Sequence, residues 1–180
     1  MNNVLIRETS GEDLDAILKV ERQAFGSEIE AQLTSDLLAD PTAMPLYSFI
    51  AIDDGQPVGH VLFTRARLNN EPDLSAQILA PLAVVPEAQN KGIGGELTRF
   101  GLRWLRAEGI DLVFVLGHPT YYPRFGFEAA GNYGLNAPYP IKAEHYEAWM
   151  VQFLSQAQIQ TPQNQVLCAE TMDEPEYWTE

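Results

Sequence analysis

Apolar and polar positions change period several times along the chain, and each change marks an element. Residues 4–8 read as a first strand. Ser10-Gly11-Glu12-Asp13 has the form of a capping box, and Leu14, Ile17, Leu18 and Val20 follow in helical rhythm. A second helix is predicted over residues 30–39, ending before Pro41. Residues 46–52 and 57–68 read as two strands joined by the turn Asp53-Asp54-Gly55-Gln56. Residues 69–73 form a loop, and 76–85 a central strand. Ile93, Leu97, Phe100 and Trp104 recur at helical spacing, the buried stripe of a helix closed by Glu108-Gly109. Residues 112–116 give the next strand. A short helix or turn at 119–125 and a strand near 127–130 come next. A helix over 143–150, a strand over 150–154, a loop at 160–164 and a strand at 166–169 complete the pattern. The fold class is mixed α/β, with hairpins early and strand–helix–strand in the middle. No repeat or second domain is visible, so one domain over residues 1–180 is expected. Residues 170–180 hold five acids and no base, and read as a solvated tail against which only Tyr177-Trp178 would pack back.

Hydrophobic residues make up 46% of the 180, enough for a sizeable core. No apolar run approaches the roughly 20 residues that span a bilayer, and the first residues lack a signal-peptide hydrophobic region. Cys168 is the single cysteine, so no internal disulfide is available. A cytoplasmic location with no membrane partner is the expectation. The net charge of −14 argues against nucleic acid, whose phosphates demand a basic surface. It suits a cationic acceptor, and equally a protein kept soluble by charge.

The chemistry concentrates at residues 82–97. An apolar run stops at Pro86. Gln89-Asn90-Lys91 leads to Gly92-Ile93-Gly94-Gly95, and a helical pattern begins. A strand, a glycine turn and a helix N-terminus present free N–H groups and the positive end of a helix dipole to one spot, which suits phosphate. Spacing narrows the ligand. The dinucleotide fingerprint fails because Leu97 stands where its third glycine belongs, and no Gly-Lys pair exists for a P-loop. Close packing of helix on strand is the plainer explanation of the same glycines.

A second motif follows the strand at 112–116: Gly117-His118-Pro119-Thr120-Tyr121-Tyr122-Pro123-Arg124-Phe125-Gly126-Phe127-Glu128. Gln89-x-x-Gly92-x-Gly94 resembles the acetyl-CoA pyrophosphate loop of the GNAT N-acetyltransferase superfamily. The second motif resembles its YhbS-like bacterial branch, with Tyr122 five residues before the phenylalanine of the closing Gly-Phe pair. The resemblance implies a mostly antiparallel sheet whose two central strands splay apart, with flanking helices. It also implies transfer of an acetyl group from acetyl-CoA to a primary amine, directly in a ternary complex and with no metal. Backbone groups of Gln89, Asn90, Lys91, Gly92, Ile93, Gly94 and Gly95 would hold the pyrophosphate. Leu82 and Val84 would pair with the pantetheine arm, and an N–H near Leu82 or Ala83 would polarise the thioester.

Tyr122 would protonate the leaving thiolate, with Tyr121 as its substitute. An aromatic core role with a bonded hydroxyl is the alternative for Tyr122. Arg124, Phe125 and Phe127 are expected to fix the turn and pack. No general base stands out. Glu30 and His118 are the weak candidates, and His118 departs from the aspartate more common in the branch. His60 lies on a strand and is expected to be structural. Tyr133, Tyr139 and Tyr146 either line an acceptor pocket or pack. The acceptor stays open, as does a homodimer. The competing function is a non-catalytic acyl-CoA-binding or regulatory module on the same fold.

Overall fold

The computed structural model describes residues 3–179. The first three strands form antiparallel ladders: β1 (Val4–Glu8) with β2 (Tyr47–Asp53), and β2 with β3 (Gln56–Leu68). The β2–β3 hairpin closes at the expected turn, with Asp53 paired to Gln56. β3 pairs antiparallel with β4 (Ala76–Val84), and β4 pairs parallel with β5 (Leu112–Leu116). The last strands are β6 (Glu128–Ala129), β7 (Leu135–Asn136), β8 (Trp149–Phe153) and β9 (Asn164–Leu167). The main order is β1-β2-β3-β4-β5-β8-β6, while β9 pairs with the far end of β3 and carries β7. Three α-helices pack on this sheet: α1 (Leu14–Phe25), α2 (Ile29–Ala39) and α3 (Ile93–Ala107). This is the mixed α/β class that the sequence pattern predicts, in the mostly antiparallel form with flanking helices that the family resemblance implies.

The feature that positions the site is a parting of strands. β4 pairs with β5 only at Ala76, Gln77 and Ile78. Beyond them the β3–β4 register slips, from Phe63↔Leu79 to Val61↔Leu82, so β4 carries an extra residue at Ala80-Pro81. Such a bulge bends its strand, and Pro81 has no N–H to offer a neighbour. β5 meanwhile pairs along its whole length with β8, from Leu112↔Phe153 to Leu116↔Trp149. A gap opens between residues 80–84 and the end of β5.

The sheet's two faces bury different partners. Phe63 faces α3 so closely that a Cβ on Gly101 would meet its ring at 2.3 Å. Phe49 packs beside it against Phe100 and Trp104 of α3, with ring centroids 5.2 and 5.4 Å apart. On the other face Leu37 of α2 joins Leu62, Phe114 and Trp149. Phe114 and Trp149 stack at 5.1 Å, and Trp178 meets Trp149 edge-on at 5.6 Å.

That last contact corrects the reading of the C-terminal segment as a solvated tail. Trp178 is 1% exposed and its indole N–H donates to the Met172 carbonyl. Glu170, Asp173, Glu174 and Glu176 face water while Met172 and Trp178 face the core, a split that a charge count cannot show; Glu180 lies outside the described residues. Two other expectations shift. Residues 143–150 form a 3-10 helix at Ala143–Ala148 rather than a longer helix, because pairing of Trp149 with Leu116 draws the next residues into the sheet. The last strand begins at Asn164, two residues before the expected start.

Asp40 pins the C-terminal segment. Its carboxylate accepts hydrogen bonds from the backbone N–H and hydroxyl of Thr42 (2.7 and 2.6 Å) and of Thr171 (3.0 and 2.8 Å). Burial opposes its ionisation, but those bonds outweigh burial and hold the carboxyl at about 2, below the usual 3.8. A depressed carboxylate contributes stability above its unfolded value, and that contribution fades as pH falls through the folded one. Asp40→Ala should cost about 1–3 kcal/mol at neutral pH in urea unfolding. Its deficit should shrink between pH 3.8 and about 2.

Candidate active site

α3 begins at Ile93, with Gly92 as its N-cap at φ 84°, a left-handed conformation that glycine adopts without a steric penalty. The first bond inside the helix is Glu96 N–H to the Gly92 carbonyl, 3.0 Å. The N–H groups of Ile93, Gly94 and Gly95 therefore lie ahead of the ladder, at the positive end of the dipole. Gln89 serves the loop differently from expectation: its side-chain amide donates to the Val84 carbonyl at 3.0 Å and ties the turn to the end of β4. Val85 N–H bonds back to Val58 on β3. Alternation along the strand turns the backbone groups of Leu82 and Val84 the other way, toward the gap.

A cleft of about 540 Å³ sits at this helix end. Of the sequence-predicted loop residues, Val84, Gln89, Asn90, Gly92, Ile93, Gly94 and Gly95 line it. Leu82, Ala83 and Lys91 are not in the lining: Leu82 lies just behind Gly94, Ala83 is buried, and the Lys91 side chain is exposed.

The opposite wall was not assigned to the cleft from the sequence. It consists of Arg99, Tyr121, Arg124 and Phe125. The Arg124 guanidinium lies 4.6 Å from the centre of the Tyr121 ring, and that of Arg99 lies 5.0 Å from the centre of Phe125. Among the described residues the lining has two cations and no carboxylate, in a protein of net charge −14. Arg99 had a signal: it stands one helical turn after Gly95, on the same face. Gly94 is where Tyr121 closes in. A Cβ there would stand 2.9 Å from the Tyr121 hydroxyl. Burial raises the Tyr121 phenol above its usual range, against the pull of Arg124, Thr98 and Arg99.

Tyr122 points elsewhere. It is 9% exposed and rests on Gly117, where a Cβ would come 2.4 Å from its ring, and Phe127 meets it edge-on at 5.7 Å. It thus stands at the end of β5, beside the gap. His118 is exposed, and its carbonyl accepts the Tyr121 N–H at 3.0 Å, so its backbone shapes the turn. Glu30 lies in the first turn of α2 and accepts the Ser27 hydroxyl at 2.6 Å. Cys168 is partly buried, and burial, with Asp173, pushes its thiol up to about 12.

His60 is structural in a specific way. Its Nδ1 lies 2.7 Å from Glu21 of α1 and its Nε2 2.9 Å from Ser48 of β2, all three fully buried or nearly so. Burial raises the Glu21 carboxyl, His60 opposes that rise, and the charge of Glu30 adds to it. The three residues are far apart in sequence, so nothing in the chain's pattern announces the cluster. It lies directly behind the cofactor-side strand, because His60 pairs with Ala83.

Comparison with known proteins decides the family. The family model described as "Acetyltransferase (GNAT) domain" matches residues 5–130. The chain belongs to the GNAT acetyltransferase family. It is 49% identical over 164 residues to the uncharacterized N-acetyltransferase YjhQ of Escherichia coli strain K12, covering 90% of each chain. The uncharacterized N-acetyltransferase YhbS of the same strain is 37% identical over 128 residues, 71% of this chain and 73% of that one. Among solved GNAT structures, Escherichia coli YhbS in complex with CoA superposes with a TM-score of 0.86 at 30% identity, covering 97% of this chain and 94% of that one. A Brucella melitensis GNAT acetyltransferase in complex with acetyl-CoA gives 0.75 at 26% identity, covering 96% and 100%.

For this GNAT fold the close approach at Gly94 has a measurable consequence. Gly94→Ala must push the Tyr121 hydroxyl out of its seat and into the cleft. Calorimetric titration should show CoA affinity reduced about tenfold or more, with thermal stability changed by no more than a few degrees.

Proposed function

We propose that the protein transfers the acetyl group of acetyl-CoA to a primary amine, directly within a ternary complex. The observation that carries this reading is the cleft at the α3 N-terminus. Three N–H groups, a helix dipole and two arginines converge there, at the mouth of the gap between β4 and β5, in an otherwise acidic protein. That combination suits a pyrophosphate with an extended arm, and it agrees with the CoA and acetyl-CoA bound by the YhbS and Brucella structures.

In this reading the N–H groups of Ile93, Gly94 and Gly95, with Arg99 and Arg124, neutralise the phosphates. Asn90 and Lys91 flank them, and Gln89 holds the loop shut against β4. The arm lies along Leu82 and Val84 as a short extra strand, and an N–H near Leu82 or Ala83 polarises the thioester carbonyl. The neutral amine attacks the carbonyl carbon; the C–N bond forms and the C–S bond breaks. The ammonium substrate gives up two protons in all. One returns to the thiolate and one leaves to solvent, so the products are acetamide, free thiol and H⁺. Tyr122, at the end of β5, delivers the proton to sulfur, with Tyr121 as the substitute. Glu30 and His118 remain the candidates for taking the amine's proton. A cytoplasmic setting and a single domain complete the reading; among the described residues no helix is long and apolar enough to cross a membrane.

One observation favours the alternative, a non-catalytic acyl-CoA-binding module: β4, which runs beside the thioester in this reading, carries no acidic side chain to act as a base. Thiol release separates the two readings, since an enzyme liberates CoA thiol only when an amine is present and a module never does. Acetyl-CoA and CoA near 100 times their dissociation constants should stabilise the protein by roughly 2.7 kcal/mol, a shift of about 5–10 °C. ATP and NADH should give no such shift. Tyr122→Phe should lower kcat by about a hundredfold, the lower range for a general acid, with acetyl-CoA affinity within about twofold. Equal loss of affinity and turnover would remove Tyr122 from the proton transfer and leave it a packing role.

A further inference from the structure

A second cavity, of about 750 Å³, opens between residues 129–147 and the start of β8. That volume is in the range of small-molecule sites. Its chemistry is the reverse of the cofactor cleft. Among the described residues its lining includes one carboxylate, Glu147, and no lysine, arginine or histidine, whereas the cleft has two arginines and no carboxylate. Three aromatic rings share the lining: Tyr139, Tyr146 and Trp149. Two are held rigidly. The Trp149 indole N–H donates to the Leu135 carbonyl at 2.9 Å, and the Tyr139 hydroxyl donates to the Asp173 carboxylate at 3.0 Å. Tyr146 is 66% exposed, a large ring left facing solvent at the rim.

The cavity wall also connects to the residue beneath Tyr122. Ala148, between Glu147 and Trp149, accepts the Gly117 N–H at 2.9 Å. Gly117 is the residue on which the Tyr122 ring rests. One hydrogen-bonded pair of residues thus separates the cavity wall from the proposed acid, at the end of β5 where the strands part.

We propose that this cavity is the acceptor site, and that it takes a small cationic amine with a flat aromatic body and no carboxylate. The inference rests on the acetyl-transfer reading above. Tyr139 and Tyr146 take the apolar body and attract the ammonium group through their faces, above a wall that includes the buried Trp149, and Glu147 orients that group. A free amino acid is disfavoured, because its carboxylate would meet Glu147 with no cation in the lining to pair it.

The test measures CoA thiol release with acetyl-CoA and matched pairs: phenethylamine against phenylalanine, and tryptamine against tryptophan, with butylamine and spermidine as ringless amines. Acetyl-CoA affinity is titrated separately by calorimetry. The arylalkylamines should exceed their amino-acid partners and the ringless amines in kcat/KM by about tenfold or more. Glu147→Gln and Tyr146→Ala, both at exposed positions, should each raise the KM for phenethylamine several-fold or more and leave acetyl-CoA affinity unchanged. Preference for an amino acid, for spermidine or for butylamine, or an unchanged KM in both variants, overturns the acceptor assignment while the acetyl-transfer reading stands. Failure of the acetyl-CoA titration itself sinks that reading instead. The cavity is then judged by quenching of tryptophan fluorescence with phenethylamine, using Trp149→Phe as the control. Quenching that persists at the same amine concentration in Trp149→Phe or Glu147→Gln, or no quenching at all, overturns it.

Discussion

β4 can follow β5 for only three residues, and the rest of the site depends on that limit. The bulge at Ala80-Pro81 lengthens β4 by one residue against β3, while β5 is committed to β8 over its full length. Neither strand can close the gap without giving up a ladder it already has. The open side of β4 therefore presents backbone groups at Leu82 and Val84 in the middle of the sheet, where the Val84 carbonyl already accepts from the Gln89 side chain. A buried polar backbone without a partner is costly, so this edge is poised to pair with an extended, amide-bearing arm.

Charge is distributed to match. The protein carries 25 acids against 11 bases, yet two of the arginines stand together over the α3 N-terminus, each laid across an aromatic ring. Stacking on Phe125 and Tyr121 fixes the guanidinium planes at little entropic cost and keeps them from pairing with nearby acids. The glycines on the first turn of α3 let this wall approach: Tyr121 comes over Gly94, and Arg99 and Phe125 over Gly95. The second cavity has the opposite sign. In the proposed reading a polyanion and a cation are each offered a complementary recess, and the Gly117–Ala148 hydrogen bond links the wall of the second to the residue beneath Tyr122.

The regular elements near the cofactor cleft were legible because each had its own local pattern. The stripe Ile93, Leu97, Phe100, Trp104 marked α3, and Gly92-Ile93-Gly94-Gly95 marked its N-terminus. Two motifs on separate strands were enough to recognise the family. The cation wall was partly hidden, since Arg124 read as a turn residue and only the folded turn brings it to Tyr121. Ser48, His60 and Glu21 meet only in three dimensions, and no period in the chain links them. In the C-terminal segment the packing back of Tyr177-Trp178 was legible from its aromatic pair, while the burial of Met172 was not, because acidity was counted without direction. The bulge in β4 lay within an apparently continuous apolar run, with Pro81 its single trace.

The central claim is that the gap beside β4 and the first turn of α3 form one acetyl-CoA site. Amide hydrogen exchange with and without saturating acetyl-CoA tests it most directly. The account predicts new protection at Leu82, Val84, Ile93, Gly94 and Gly95, with the β1–β2 ladder unaffected. Protection confined to other segments, or none at these residues when acetyl-CoA is bound, would contradict it.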